Sequence, residues 1–100
     1  MAEVRVIARA VALKRKEDQL KSLLKGMLAP THAEPGCRFY ELYESDERGR
    51  FYFYELWANQ AALEQHAASP HYKYLELTVR DLLEEPFEVN ILKEVLNLES

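Results

Sequence analysis

The sequence contains few of the residues that mark disulfide-rich, nucleotide-binding or membrane proteins. Its 100 residues include one cysteine, Cys37, which cannot form a disulfide within the chain. The three glycines are isolated, so they cannot form a phosphate-binding loop. No apolar run approaches the ~20 residues of a membrane span, and Arg5 and Arg9 interrupt the first apolar segment, unlike a signal peptide. We therefore expect a cytoplasmic protein without a membrane partner.

Basic residues are also in the minority, with 13 Lys and Arg against 17 Asp and Glu and a formal net charge of −4. This balance gives no electrostatic footprint for a nucleic-acid partner. Hydrophobic residues make up 48% of the chain, which is ordinary for a globular protein. The length and composition predict a single domain over residues 1–100.

The hydrophobic pattern alternates between a period of two, typical of strands, and a helical period. Leu20, Leu23, Leu24, Met27 and Leu28, for example, fall on one face of a helix. The predicted elements are a strand at 3–12, a helix at 15–29, a hairpin of strands at 37–44 and 50–57, helices at 59–68 and from 69 to about 83, and a strand at 87–95.

Several boundaries follow from single residues. Pro30 is expected to end the first helix, and Pro35-Gly36 has the chemistry of a type II turn, in which the glycine takes a positive φ. Asn59 is a candidate N-cap for the second predicted helix, residues 59–68. Ser69, followed by Pro70, is a candidate N-cap for the next helix.

The resulting order, β-α-β-β-α-β, predicts an α+β protein with a ferredoxin-like fold and an antiparallel four-stranded sheet. In this arrangement both helices cover the same face of the sheet. The second hairpin strand is nevertheless hydrophobic on both sides, with Phe51, Phe53 and Trp57 on one side and Tyr52, Tyr54 and Leu56 on the other. We therefore predict a homodimer in which a second copy covers the open face.

No metal site is predicted from the spacing of the metal-binding residue types. His32, His66 and His71 lie in separate segments, and Pro70 separates the last two. Cys37 begins a strand directly after a turn, which favours a small buried residue over a nucleophile.

A richer group of side chains comes from the second hairpin strand and the segments after it. A glutamate among aromatic residues needs a partner when it is buried, and a histidine on an apolar helix face can transfer protons near neutral pH. Each residue taken alone also fits a purely structural role, but together they indicate a pocket for a flat organic ligand. The members of the group are Glu55, Trp57, Asn59, His66, His71 and Tyr72.

The chain resembles the antibiotic biosynthesis monooxygenase domain family from its first strand to its last. The motifs that carry the resemblance are Glu34-Pro35-Gly36-Cys37, Tyr40, Glu55-Leu56-Trp57, Ala62-Leu63 with His66, and Ser69-Pro70-His71. The resemblance implies a ferredoxin-like monomer and a dimeric α+β barrel, in agreement with the element order.

The resemblance also implies a cofactor-independent monooxygenase that oxidises a quinol-like or other electron-rich aromatic with O₂. Trp57 would then form a pocket wall, His66 would act as base or anion stabiliser, and Glu55 would orient a partner. These three are the predicted catalytic residues. The predicted substrate-binding residues are Tyr72, His71, Asn59, Tyr54, Phe53 and Arg38.

Some positions depart from branches of the family. Haem-degrading members carry an Asn on the first strand, where this chain has Val6-Ile7-Ala8-Arg9-Ala10. Antibiotic-tailoring members carry an Asn shortly before the tryptophan, where this chain has Phe53 and Tyr54. The sequence therefore favours neither haem degradation nor an antibiotic-tailoring substrate.

Two alternatives remain open at this point. Residues 50–55 and 69–73 are similar to isomerases of phosphorylated autoinducer-2 products, which need a cation for the phosphate. Arg38, Lys73 or Arg80 would supply that cation. The second alternative is a non-catalytic dimer that only binds a small molecule in the same pocket.

Overall fold

The computed structural model describes residues 2–95 as a four-stranded antiparallel sheet with helices packed on one face. The elements are β1 (Val4–Val11), α1 (Glu17–Lys25), α2 (Leu28–His32), β2 (Cys37–Glu44), β3 (Arg50–Trp57), α3 (Gln60–Ala67), α4 (Pro70–Val79) and β4 (Glu88–Leu92). A short 3₁₀ turn, Arg80–Leu82, extends α4. The strand order β2-β3-β1-β4 confirms the predicted ferredoxin-like α+β fold. Across residues 2–95, none of the helices has the length and apolarity needed to cross a bilayer.

The inner face of the sheet, which faces the helices, forms the core. On this face Val6 pairs with Glu55, and Ala8 pairs with Phe53 across β1 and β3. The small β1 side chains leave room for the large aromatic residues of β3, and Phe51 and Phe53 are almost completely buried. Burying one such ring contributes about 1.5–3 kcal/mol to stability, so β3 anchors the domain.

The outer face of the sheet has a different character. Tyr43 and Tyr54 are more than a third exposed, and they line a shallow depression together with Ile7 and Tyr52. No element among residues 2–95 covers this aromatic surface. The homodimer prediction depends on this feature, and it stays a prediction.

The first predicted helix, residues 15–29, is wrong in its extent. Arg15 has φ +72°, a left-handed conformation outside the helical region, and α1 begins only at Glu17. Pro30 does not end a helix but lies inside α2 as its third residue. The position tolerates proline because the first N–H groups of a helix have no intrahelical acceptor.

The predicted turn at Pro35-Gly36 is present, but the prediction of type II is wrong because Gly36 does not take a positive φ. Gly49 is the glycine with positive φ in the described chain, at +89° in the hairpin link. The Cys37 N–H donates to the Glu34 carbonyl oxygen over 3.1 Å, which closes the turn as predicted. Glycine is required at position 36 for space, because an added Cβ would lie 2.3 Å from the Cβ of Ala62 in α3.

Both predicted helix caps are confirmed. The Asn59 side chain accepts a hydrogen bond from the Ala62 N–H at 2.9 Å, and the Ser69 hydroxyl oxygen accepts one from the Tyr72 N–H at 3.2 Å. These caps start α3 and α4, the two helices that carry the histidines of the candidate site. The last strand, predicted at 87–95, is shorter and spans Glu88–Leu92.

Candidate functional site

The inner face of the sheet, helices α3 and α4, and the segment before β4 enclose a cavity of about 240 Å³, called here the inner cavity. Its wall is mainly apolar, and the ionisable groups in it are Glu55, Glu64, His66 and Tyr side chains. The lining residues are Ala8, Tyr40, Glu55, Gln60, Leu63, Glu64, His66, Ala67, Tyr72, Leu75, Phe87 and Val89. Such a wall suits a small, flat, largely apolar ligand.

His66 is deeply buried in this wall, with a side chain only 2% exposed. Its Nδ1 lies 2.8 Å from the Oε2 atom of Glu34. Because a carboxylate only accepts hydrogen bonds, Nδ1 is assigned the proton and Nε2 carries the lone pair. Nε2 is buried and has no hydrogen-bond partner among residues 2–95. Burial lowers the pKa of His66, while the Glu34 hydrogen bond opposes this, so the ring is neutral near pH 7.

Glu34 is the residue whose role the sequence analysis missed. It lies in the link between α2 and β2, and its Oε2 atom also lies 2.6 Å from Nε2 of His71. Two imidazoles therefore meet on one carboxylate oxygen. Glu34 is separated from His66 and His71 by 32 and 37 residues, so no local spacing pattern predicts these contacts. The Glu34-Pro35-Gly36-Cys37 motif was the only feature of the sequence that pointed to Glu34.

Trp57 and Glu55 form a buried pair beside His66. The Trp57 Nε1–H donates to Oε1 of Glu55 at 2.9 Å, and the centroids of the Trp57 and His66 rings are 4.6 Å apart. Trp57 is fully buried and its ring packs against the His66 ring, whereas Glu55 lines the cavity. Burial raises the pKa of Glu55 to about 7, although the Trp57 hydrogen bond acts in the opposite direction.

Two tyrosines complete the aromatic wall. The ring centroids of Tyr40 and Tyr72 lie 5.5 Å and 5.2 Å from that of His66, each in an edge-on arrangement. Burial raises the pKa of both phenols, so both stay protonated at neutral pH. Burial likewise raises the pKa of the Cys37 thiol to about 11, which does not favour a nucleophilic role.

The structure brings five of the nine predicted site residues together: Glu55, Trp57, His66, His71 and Tyr72. Of these five, Glu55, His66 and Tyr72 line the inner cavity, and Trp57 and His71 contact His66 from outside the lining. The other four predicted residues also lie outside the lining. Asn59 caps α3, and Phe53 is buried beneath Tyr40 with their ring centroids 4.7 Å apart. Tyr54 lies on the outer face of the sheet, and Arg38 is exposed, with its Nε 3.6 Å from a carboxylate oxygen of Glu3.

A wider cleft of about 500 Å³ adjoins the inner cavity and shares four of its residues, Tyr72, Leu75, Phe87 and Val89. We call it the outer cleft. Of the three cations considered for a phosphate, Arg80 lines this cleft, whereas Arg38 and Lys73 line neither space.

The structure brings together possible metal ligands that lie far apart in the sequence. His66 and His71 were set aside because they lie in separate segments, yet one ligand atom from each and one from Glu34 lie within 4.8 Å of one another. A carboxylate and two imidazoles are a common ligand set for transition metals. These three residues are therefore the group in residues 2–95 that could hold an ion.

Comparison with known proteins agrees with the fold and the motifs. Residues 3–75 match the family model described as "Antibiotic biosynthesis monooxygenase". Rv0793 of Mycobacterium tuberculosis, named as a candidate monooxygenase, is 40% identical over 89 residues, which cover 89% of this chain and 88% of that protein. Its solved structure superposes with a TM-score of 0.90 at 37% identity, covering 98% of this chain and 100% of that one.

A crystal structure of PA3566 from Pseudomonas aeruginosa gives a TM-score of 0.87 at 27% identity, covering 96% of this chain and 97% of the other. The family match and the name of the Rv0793 relative support a monooxygenase-like function in general. The match covers well over half of the chain, so the protein belongs to the antibiotic biosynthesis monooxygenase family.

Proposed function

We propose that this protein is a cofactor-independent monooxygenase that oxidises a phenol- or quinol-like small aromatic with O₂. The proposal rests on the hydrogen bonding and burial of the His66 ring. Its Nδ1 is held by Glu34, while its Nε2 is buried and unpartnered, in a residue that lines an aromatic cavity. A neutral imidazole oriented by a carboxylate is a suitable general base.

The reaction begins when the substrate hydroxyl gives its proton to Nε2 of His66. The phenolate passes one electron to O₂, and the resulting phenoxyl radical and superoxide combine at a ring carbon. The peroxide then takes a proton from the imidazolium to form a hydroperoxide. Loss of water breaks the O–O bond and removes hydrogen from that carbon, leaving a quinone carbonyl. The substrate supplies all four electrons, so no external reductant is required.

Two other polar groups in the wall can stabilise the negative charge that develops during this reaction. Glu55 has a pKa of about 7, so a large fraction is protonated at neutral pH and can donate a hydrogen bond to the peroxide. Tyr72 is a second protonated donor in the wall. The apolar remainder of the wall keeps water from the reactive anion.

A homodimer is part of the proposal. The outer face of the sheet carries partly exposed aromatic residues, including Tyr43 and Tyr54, that a second copy would bury. The partner would stiffen β3, which carries Glu55 and Trp57 on its inner face. A cytoplasmic location, expected from the single cysteine, completes the proposal.

The isomerase alternative has weaker support from the cavity. A phosphate needs cations or several N–H donors, and the lining of the inner cavity includes neither Lys nor Arg. Arg80 lies in the adjoining outer cleft, where it would suit a longer, negatively charged substrate. The aromatic wall favours the oxidation reaction over this alternative.

Oxygen consumption with a panel of hydroquinones, naphthoquinols and anthrones tests the proposal. We expect uptake with at least one of them, and a His66→Ala variant should lower kcat/KM by about 10²-fold or more. His32, an exposed histidine on α2 outside the cavity lining, provides the control. Because its Nε2 lies 2.7 Å from the Tyr40 carbonyl oxygen, His32→Ala should keep most of the rate rather than all of it. Unchanged kinetics of the His66 variant would remove it as the base, and ligand binding without turnover would favour the binding module.

A further inference from the structure

We infer that Glu34, His66 and His71 form a binding site for a divalent transition-metal ion of the zinc class, and that the bound ion switches off His66 as a base. The site itself stands on geometry alone. Its inhibitory effect rests on the proposed function.

Three separate elements bring the ligand atoms to one point. Glu34 comes from the α2–β2 link, His66 from α3 and His71 from the first turn of α4. Oε2 of Glu34 lies 2.8 Å from Nδ1 of His66 and 2.6 Å from Nε2 of His71. The convergence of both rings on the same oxygen distinguishes this cluster from two independent hydrogen bonds.

The ligand set suits zinc. Two imidazole nitrogens and one carboxylate oxygen at about 2.0–2.2 Å, with water in the fourth position, are a common tetrahedral arrangement. Such bond lengths place neighbouring ligand atoms about 3.3 Å apart. The cluster would have to open by about 0.5 Å along the His66–Glu34 hydrogen bond and about 0.7 Å along the His71–Glu34 hydrogen bond. Glu34 lies in a link rather than a helix, so its side chain can make this adjustment.

Charge also favours a cation. The Glu34 side chain is only 15% exposed, and within residues 2–95 its ion-pair partners are His66 and His71, not a lysine or arginine. When both imidazoles are neutral, the cluster carries one sheltered negative charge without a permanent positive partner. A divalent ion would provide that partner, because buried carboxylates are retained when they are paired or bind metals.

The ion has an access route that does not pass through the inner cavity. A separate cavity of about 290 Å³ lies between α1 and α4, and His71 is in its wall. The other lining residues are Ser22, Leu23, Gly26, Met27 and Tyr74. His71 itself is 20% exposed and does not line the inner cavity. Metal and substrate would therefore approach His66 from different sides of its ring.

Metal binding at Nδ1 changes what Nε2 can do. A neutral imidazole has one protonated nitrogen, so coordination of a metal at Nδ1 moves the proton to Nε2. Nε2 then donates a hydrogen bond and has no lone pair to accept the substrate proton. We expect the metal-bound protein to bind the aromatic substrate but to turn it over slowly.

The binding test uses untagged, chelator-treated protein. Isothermal titration with Zn²⁺ should give one site per chain, and Co²⁺ should produce the visible absorption of a four-coordinate nitrogen–oxygen site. His71→Ala should weaken Zn²⁺ binding by at least tenfold. His32→Ala should bind as the wild type does. Equal Zn²⁺ affinity in the wild type and His71→Ala would overturn the site.

Inhibition is measured separately by oxygen uptake. Zn²⁺ should reduce the wild-type rate with the occupancy found by titration, and chelator should restore it. In His71→Ala, the same Zn²⁺ concentration should leave most of that variant's own basal rate. Binding without loss of rate would refute the inhibitory role. If no substrate is oxidised at all, the proposed function fails, while the titration still decides the metal site.

Discussion

The raised pKa of Glu55 makes a direct prediction about stability and pH. The group has an ordinary value of 4.5 and a value of about 7 in the folded chain, mainly because it is buried. Between these values the folded protein holds a proton that the unfolded chain releases. The stability linked to this group is thus fully present below pH 4.5 and is lost as pH rises through about 7.

The size of the effect follows from the shift. About 2.5 pKa units at 1.36 kcal/mol each give an upper estimate of ~3 kcal/mol. Glu55→Gln removes the ionisation but keeps an oxygen that accepts the Trp57 Nε1–H. We therefore expect the variant to gain stability over the wild type by up to ~3 kcal/mol between pH 5 and pH 8.

Urea unfolding at several pH values, followed by tryptophan fluorescence of Trp57, measures this difference. Other groups that titrate in this range contribute similarly to both proteins and largely cancel. Glu88→Gln, at an exposed carboxylate on β4, is the matched control and should show no pH-dependent gain. A constant difference between Glu55→Gln and the wild type across this range would refute the assignment of a buried, proton-holding carboxyl group.

Three further predictions concern the framework of the site. Gly36→Ala should destabilise the fold by about 1–3 kcal/mol through its clash with Ala62, and thermal melts should show partial rescue when Ala62→Gly is added. Asn59→Ala should cost about 1 kcal/mol by removing the cap of α3, whereas Asn59→Asp should keep it; a change in KM without a change in stability would instead indicate substrate contact. Tyr52→Glu on the outer face should shift a dimer to monomers in sedimentation velocity, and a wild-type monomer would refute the dimer proposal.

The fold could be predicted from the sequence because its signals are local. Periodicity identified every strand, and the capping chemistry of Asn59 and Ser69 located the starts of two helices. Two of the wrong predictions concerned single residues, Pro30 and Gly36, whose conformations were misinterpreted. Pro30 sits in a helical turn that needs no N–H there. Position 36 requires glycine because a larger residue would clash with Ala62, and not because the backbone there takes a positive φ.

The candidate site was less predictable because it depends on contacts between distant segments. The sequence pattern indicated His66 and Glu55, since each is a polar residue among apolar neighbours. It did not indicate that Glu34 would reach both histidines, because that contact depends on how the α2–β2 link packs against α3. The same limitation explains why the metal-ligand geometry was not visible in the spacing.

The close approach of Gly36 to Ala62 brings the α2–β2 link against α3, where an added Cβ at position 36 would lie 2.3 Å from the Ala62 Cβ. Glu34 stands two residues from one side of this contact and His66 stands one helical turn from the other. The absence of bulk at positions 36 and 62 therefore controls how near the acid comes to the imidazole. A related protein with larger residues at both positions would hold these groups apart, and we expect it to have lost the tuned base while keeping the fold.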